Sequence, residues 1–269
     1  LKYYSLSKEL DFKKFNSLVL SGFSYRTETE RLGLNQLMIN VCWFKLTDNE
    51  HFLIISMDLL YIPKRIASQI YDFLFKEFNL SKNKIFFNAS HTHSAPGVEE
   101  KFDKNINNEI VEYIVNEIKT LFCNVQFIEC DIQLITLQTS QLHWISRRKI
   151  GRNIRKLFVT KETIMLPNAN KAIDDKIRLI LIYDTANTIK EMIINFSCHP
   201  VFNVNNEISS DFIGVITNNI EKELNIKCTY LQGFSGDIRP NITVKSYKNL
   251  TFIDKLKLFF NKEIFKKSD

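Results

Sequence analysis

Twice in this chain a short apolar run stops at a polar residue, an amphipathic stretch follows, and a second apolar run succeeds it. That grammar constrains the fold more than any other feature. His51-Phe-Leu-Ile-Ile-Ser-Met57 is apolar and partly β-branched and gives way to Asp58, which reads as a buried strand. Pro63 then opens a stretch in which Ile66, Ile70, Phe73, Leu74 and Phe78 recur at intervals of three and four, the stripe of a helix that starts at a tolerated proline. Lys84-Ile-Phe-Phe-Asn-Ala89 is the strand that follows. The same order returns as a strand over 191–197, a helix over 211–224 and a strand over 227–232. Strand, crossover helix and strand imply parallel pairing. The expected fold is therefore α/β, a mixed sheet built from βαβ units with flanking helices.

The remaining chain supports that class. Residues 106–122 read as a helix, 125–137 and 177–183 as strands, and 252–267 as an apolar-striped C-terminal helix carrying Lys255, Lys257, Lys262, Lys266 and Lys267. No repeat, linker or shift in composition cuts the sequence, so a single domain over 1–269 is expected. With 45% hydrophobic and 12% aromatic residues, it can fill a sizeable core. No apolar run reaches the roughly 18 residues of a membrane span, although the basic C-terminal helix suits either core docking or peripheral contact with an anionic membrane. Five cysteines without a CxxC pair suit reduced thiols and a cytoplasmic setting, and no secretory leader pattern is evident at the N-terminus. A net charge of +6 favours an anionic small molecule and falls short of a nucleic-acid binder. Oligomeric state is not encoded in any feature of the sequence.

Ligands of open α/β sheets bind beyond the carboxyl ends of the strands, and here those ends are polar. The first strand ends at Asp58. The others run into Ser90-His-Thr-His-Ser-Ala-Pro-Gly97, Ser197-Cys-His-Pro200 and Gly233-Phe-Ser-Gly-Asp-Ile-Arg-Pro-Asn241. Three of the five histidines, His91, His93 and His199, lie in these loops; His51 and His143 do not. Neutral imidazoles from two strand ends, with Asp58, Asp211 and Asp237 as oxygen ligands or as acceptors behind them, are the donor set of a zinc site. Structural histidines satisfied by hydrogen bonds are the alternative. A third cluster, residues 146–156, holds six cations in eleven positions (Arg147, Arg148, Lys149, Arg152, Arg155 and Lys156). Such a run is a solvated face or a grip on a carboxylate or phosphate.

Taken in order, these motifs, together with Leu20-Ser-Gly-Phe-Ser-Tyr-Arg26, Ser56-Met-Asp-Leu-Leu60 and Ser209-Ser-Asp-Phe-Ile-Gly214, resemble the neutral/alkaline (non-lysosomal) ceramidase family and its short bacterial relatives. The similarity spans residues 18–243. The resemblance implies a zinc-dependent amidohydrolase in which His91 and His199 are ligands, His93 orients substrate and Arg147 binds a substrate oxygen. Two departures accompany it. Where the family carries Gly-Asp-Val-Ser-Pro-Asn with a nucleophilic serine, this chain has Gly236-Asp-Ile-Arg-Pro-Asn241, and a guanidinium cannot be a nucleophile. The family also draws a Glu and a Tyr ligand from a C-terminal portion not contained in this sequence, which ends at Asp269.

The function expected is cleavage of an N-acyl bond by metal-activated water. His93, Asp237 and Arg147 would serve the reaction, and Arg147, Arg239 and Asn241 would hold a polar or anionic N-acylated small molecule or sugar derivative rather than ceramide. His91, His199, Asp58 and Asp211 are the candidate zinc ligands. A catalytically degenerate or partner-dependent binding protein on the same scaffold is the alternative, since fold does not dictate function.

Overall fold

A computed structural model describes residues 1–15, 18–23, 28–29, 31–32, 36–99, 108–138, 144–152, 163–168 and 171–240. The expected C-terminal helix, His143 and Asn241 lie outside them. In chain order the strands are β1 (Lys2–Leu10), β2 (Leu18–Val19), β3 (Glu28–Thr29), β4 (Arg31–Leu32), β5 (Leu37–Lys45), β6 (His51–Met57), β7 (Ile85–Ala89), β8 (Ile128–Glu129), β9 (Asp131–Gln138), β10 (Ile145–Arg152), β11 (Thr163–Asn168), β12 (Lys176–Tyr183), β13 (Ile189–Phe196), β14 (Glu207–Ile208), β15 (Lys227–Gln232) and β16 (Ile238–Pro240). The helices are α1 (Lys64–Phe78), α2 (Asn108–Thr120) and α3 (Asp211–Leu224). None is long and apolar enough to cross a membrane.

The chain forms two compact units: residues 1–137, 177–196 and 200–233 in the first, and 138–176, 197–199 and 234–269 in the second. Each is discontinuous in sequence, so no linker separates them.

The first unit holds both expected βαβ elements. β6 pairs parallel with β7 (Leu53↔Ile85) across α1, and β13 pairs parallel with β15 (Ile193↔Thr229) across α3. They belong to separate mixed sheets, ordered β7-β6-β5-β1-β8 and β15-β13-β12-β9. Alternation along β5 and β6 explains the layering. Leu37, Ile39, Val41, Trp43, Leu53, Ile55 and Met57 join a core with Ile66, Ile70 and Leu74 of α1 and Ile110, Ile114 and Ile118 of α2. Cys42, Phe44 and Ile54, one residue out of phase, join Tyr3, Ile182 and Ile193 in a second cluster. A strand buried on both faces reads as a continuous apolar run.

The two sheets are also tied through polar groups. The Ser56 hydroxyl donates to the Tyr230 carbonyl at 2.8 Å, and Asn88 Oδ1 accepts the Gln232 N–H at 3.0 Å. Glu191, fully buried, accepts from Cys42 Sγ at 3.0 Å and Thr229 Oγ1 at 2.9 Å. Helix α1 stops at Asn79, whose left-handed conformation (φ 52°) lets the next N–H, that of Leu80, reach back to the Leu74 carbonyl at 3.2 Å.

In the second unit β10 is the centre of a three-stranded sheet, β11-β10-β16, antiparallel on both sides. The cationic run thus begins as a sheet strand. Within it Ser146 is buried and Arg148 half-buried, so these two are not part of a fully solvated face.

Candidate metal centre

His91 lies just past the carboxyl end of β7, where the chain must turn sharply. Its N–H donates to the Leu59 carbonyl at 3.0 Å and its φ is +67°. Among the described residues, five non-glycine residues have positive φ; three are Asn and the other two are His91 and Asp211. The left-handed region is costly for a residue with a full side chain and marks sites where surrounding structure holds the backbone.

The His91 ring is fixed by its Nδ1, 2.6 Å from the Leu60 carbonyl. A carbonyl can only accept, so Nδ1 carries the hydrogen and the neutral ring has its lone pair on Nε2. His199, three residues beyond β13, repeats the arrangement, with Nδ1 3.2 Å from the Ser235 carbonyl and its backbone N–H donating to Ile238 at 3.0 Å. This is how imidazole ligands are oriented by the atoms behind them.

His93 is positioned by packing. Its ring centroid is 4.9 Å from that of Phe23 and 5.4 Å from that of His91, and its N–H donates to the Pro200 carbonyl at 3.4 Å. Gly22 approaches so closely that a Cβ there would stand 2.6 Å from His93 Cγ. Gly22 also has φ +99°, so both its conformation and its missing side chain are used.

One ring nitrogen from each of His91, His93 and His199 lies within 4.8 Å of the other two. Zinc–imidazole bonds of about 2.0–2.1 Å put tetrahedral neighbours roughly 3.4 Å apart, so a modest inward rotation of the rings meets the requirement. Three imidazoles, two with Nε2 left basic by carbonyl acceptors, fit a divalent cation of the zinc type. This group can hold a metal ion.

The other expected residues have their own settings. Asp58 is buried, accepts the Met38 N–H at 2.9 Å, and is pushed by burial up to about 6, against the pull of that N–H and the Ser90 hydroxyl. Asp211, at the start of α3, accepts the N–H of Asn203 and of Phe212, each at 2.7 Å. Neither is in the histidine group. Asp237 pairs with Arg147 at 2.6 Å, and Arg147 Nε donates to the Ala172 carbonyl. Arg239 sits on β16, half-buried. His51 accepts from Trp43 Nε1 at 3.2 Å, a structural role.

The clamp residues Gly22 and Phe23 received no role from sequence, although a glycine in a glycine-poor chain was their signal. The carbonyls of Leu60 and Ser235 left no signal, because a backbone acceptor has no residue type.

No protein-family model and no curated protein matches the sequence. Solved structures do. Neutral ceramidase from Pseudomonas aeruginosa superposes with a TM-score of 0.65 at 16% identity over 91% of this chain and 40% of that one. A ceramidase complexed with C2 gives 0.62 at 18% identity, over 90% and 39%. The chain thus has the fold of a ceramidase portion and spans about two fifths of the length of the solved chains it matches.

Proposed function

We propose that this chain is a zinc-dependent hydrolase that cleaves the N-acyl bond of a polar or anionic small molecule. The observation that carries the reading is the imidazole group His91, His93 and His199, two of whose rings are held by carbonyls with Nε2 left basic. The ceramidase-like fold supports an acyl amide as the bond attacked, since the superposed proteins are ceramidases.

When bound, a divalent cation supplies Lewis acidity, drawing electron density from an acyl carbonyl and from water. The residues of the chain do the rest. His91 and His199, each held in one tautomer by a carbonyl acceptor, turn Nε2 outward as the atom that would hold the cation. The side chain of residue 239 is a guanidinium, so the attacking oxygen must come from solvent and no acyl-enzyme forms at that position. Asp237, joined to Arg147, is the acceptor for a proton released from that solvent molecule, and the pair keeps its carboxylate oriented. Asp58 accepts from the Met38 N–H on β5, and Asp211 accepts from the N–H groups of Asn203 and Phe212; each carboxylate keeps lone pairs beyond those bonds.

The test is elemental analysis after chelator-free purification, joined to a screen of N-acetylated sugars, N-acyl amino acids and short-chain ceramides scored by amine release. About one zinc per chain and turnover of an acidic N-acyl compound, both lost in His91→Ala and His199→Ala, is the expected result. A metal-free protein whose stability ignores added zinc would instead support a non-catalytic binding role.

A further inference from the structure

Ser146 on β10 stands directly opposite Arg239 on β16. Cross-strand partners share a face of the sheet, and so do residues two apart along a strand. Ser146, Arg148 and Arg239 therefore project to one side of the β10–β16 ladder, while Arg147, opposite Ile238, projects to the other. The two sides differ in how their cations are satisfied. Arg147 has the Asp237 carboxylate and the Ala172 carbonyl. On the opposite side, Ser146 Oγ, Arg148 Nε and Arg239 Nε are all buried and have no hydrogen-bond partner among the described residues.

Arg148 spends one Nη2 donor on the Pro240 carbonyl at 2.8 Å; among the described residues no carboxylate pairs with either guanidinium. Burial, reinforced by the charge of Arg239, pushes Arg148 down to about 10, and burial lowers Arg239 as well. Both remain cationic at neutral pH. Two like charges brought together out of water with orphaned donors destabilise a fold. Such an arrangement fits a site that an anion completes.

We propose that Ser146, Arg148 and Arg239 bind an oxyanion, a carboxylate or a phosphate, carried by the substrate. The proposal rests on the hydrolase reading for the word substrate and on the ladder alone for the anion. Two planar guanidinium forks and a hydroxyl match the oxygen lone pairs of either group, which the compact ammonium of lysine does not. The His199 N–H donates to the carbonyl of Ile238, the residue before Arg239, so one strand holds both a histidine of the metal group and an arginine of the anion site. The position where the resembling family carries a nucleophilic hydroxyl here carries a cation that selects acidic molecules.

The experiment is titration of the purified protein with sodium phosphate and, separately, sodium acetate, against sodium chloride at equal ionic strength, followed by calorimetry and thermal unfolding. At least one oxyanion is expected to bind saturably and raise Tm. Stronger acetate binding would indicate a carboxylate, and stronger phosphate binding a phosphate. Arg148→Gln and Arg239→Gln should each weaken binding about 10- to 100-fold, and Ser146→Ala several-fold. Arg239→Lys should retain weak binding, and Arg65→Gln on α1 should bind as the parent does.

In chloride alone, Arg239→Gln should match or exceed the parent in stability, because it removes a repulsion. Absence of saturable binding, binding that survives both Gln variants, or failure of both to fold would overturn the proposal. Anion binding without any amine release would leave this site standing and refute the hydrolase reading. Hydrolysis of neutral and acidic N-acyl compounds with equal kcat/KM would do the reverse.

Discussion

Substituting Gly22 by alanine tests whether His93 is held by packing against bare backbone. The added Cβ would lie 2.6 Å from His93 Cγ and 2.7 Å from both Cβ and Nδ1, so ring or backbone must retreat by nearly an ångström to restore contact distance. The φ of +99° adds a second penalty. Steric strain of about 1–2 kcal/mol for an L-residue at positive φ and about 1–3 kcal/mol for overpacking together give a loss of about 2–5 kcal/mol.

The local consequence is as specific as the global one. A displaced His93 leaves the other two imidazoles in place, so zinc affinity should fall about 10- to 100-fold, as for loss of an orienting contact. Urea unfolding gives the first quantity and competition with a chromogenic chelator the second. Gly236→Ala, where a Cβ would meet nothing within 4 Å, is the control and should change stability by less than about 0.5 kcal/mol. A Gly22→Ala protein with parental stability and parental zinc affinity would refute the packing argument.

Other expectations follow from buried polar groups. The Asp58 carboxyl is raised from 3.8 to about 6 in the fold, so the folded protein takes up a proton that the unfolded chain has released; stability should fall as pH rises from about 4 to about 6, by about 3 kcal/mol, and urea titrations of Asp58→Asn should lack that slope. Glu191→Ala strands the Cys42 and Thr229 donors and opens a cavity, a loss of about 2–4 kcal/mol by the same assay. A thiol reagent at pH 8 should modify exposed Cys123 at once, whereas Cys42, raised by burial and Glu191, and Cys228, pushed up to about 12, should react only on unfolding.

Much of the first unit was legible because its elements bury one stripe or two faces, which leaves a periodic trace. Strands over 51–57 and 227–232 and helices over 64–78 and 211–224 form where the spacing of Ile66, Ile70 and Leu74 and the apolar run at His51–Met57 place them. The expected strand over 125–137 is interrupted at Cys130, which bonds to Leu1, giving β8 and β9. β1 and β5 went unread because Lys2, Lys8 and Glu9 mask the buried side of β1, and no crossover helix precedes β5 to announce it.

Convergence of His91 and His199 was legible because each follows a strand end of a βαβ element. Arg239 and the cationic run were also legible as a grip on an anion, but which of their side chains share a face was not. The pairing of Ser146 with Arg239 joins residues 93 positions apart, and no local pattern records register. In sequence Arg147 and Arg148 look alike; alternation sends one to Asp237 and the other to a face where, among the described residues, no carboxylate pairs with it.

The central claim is that His91, His93 and His199 ligate one divalent cation. X-ray absorption at the zinc edge of the zinc-loaded protein tests it most directly. The account predicts three imidazole nitrogens at about 2.0–2.1 Å in the parent, and a His199→Ala protein that retains no zinc through purification. A shell containing sulfur at about 2.3 Å, or an all-oxygen shell unchanged by His199→Ala, would contradict it.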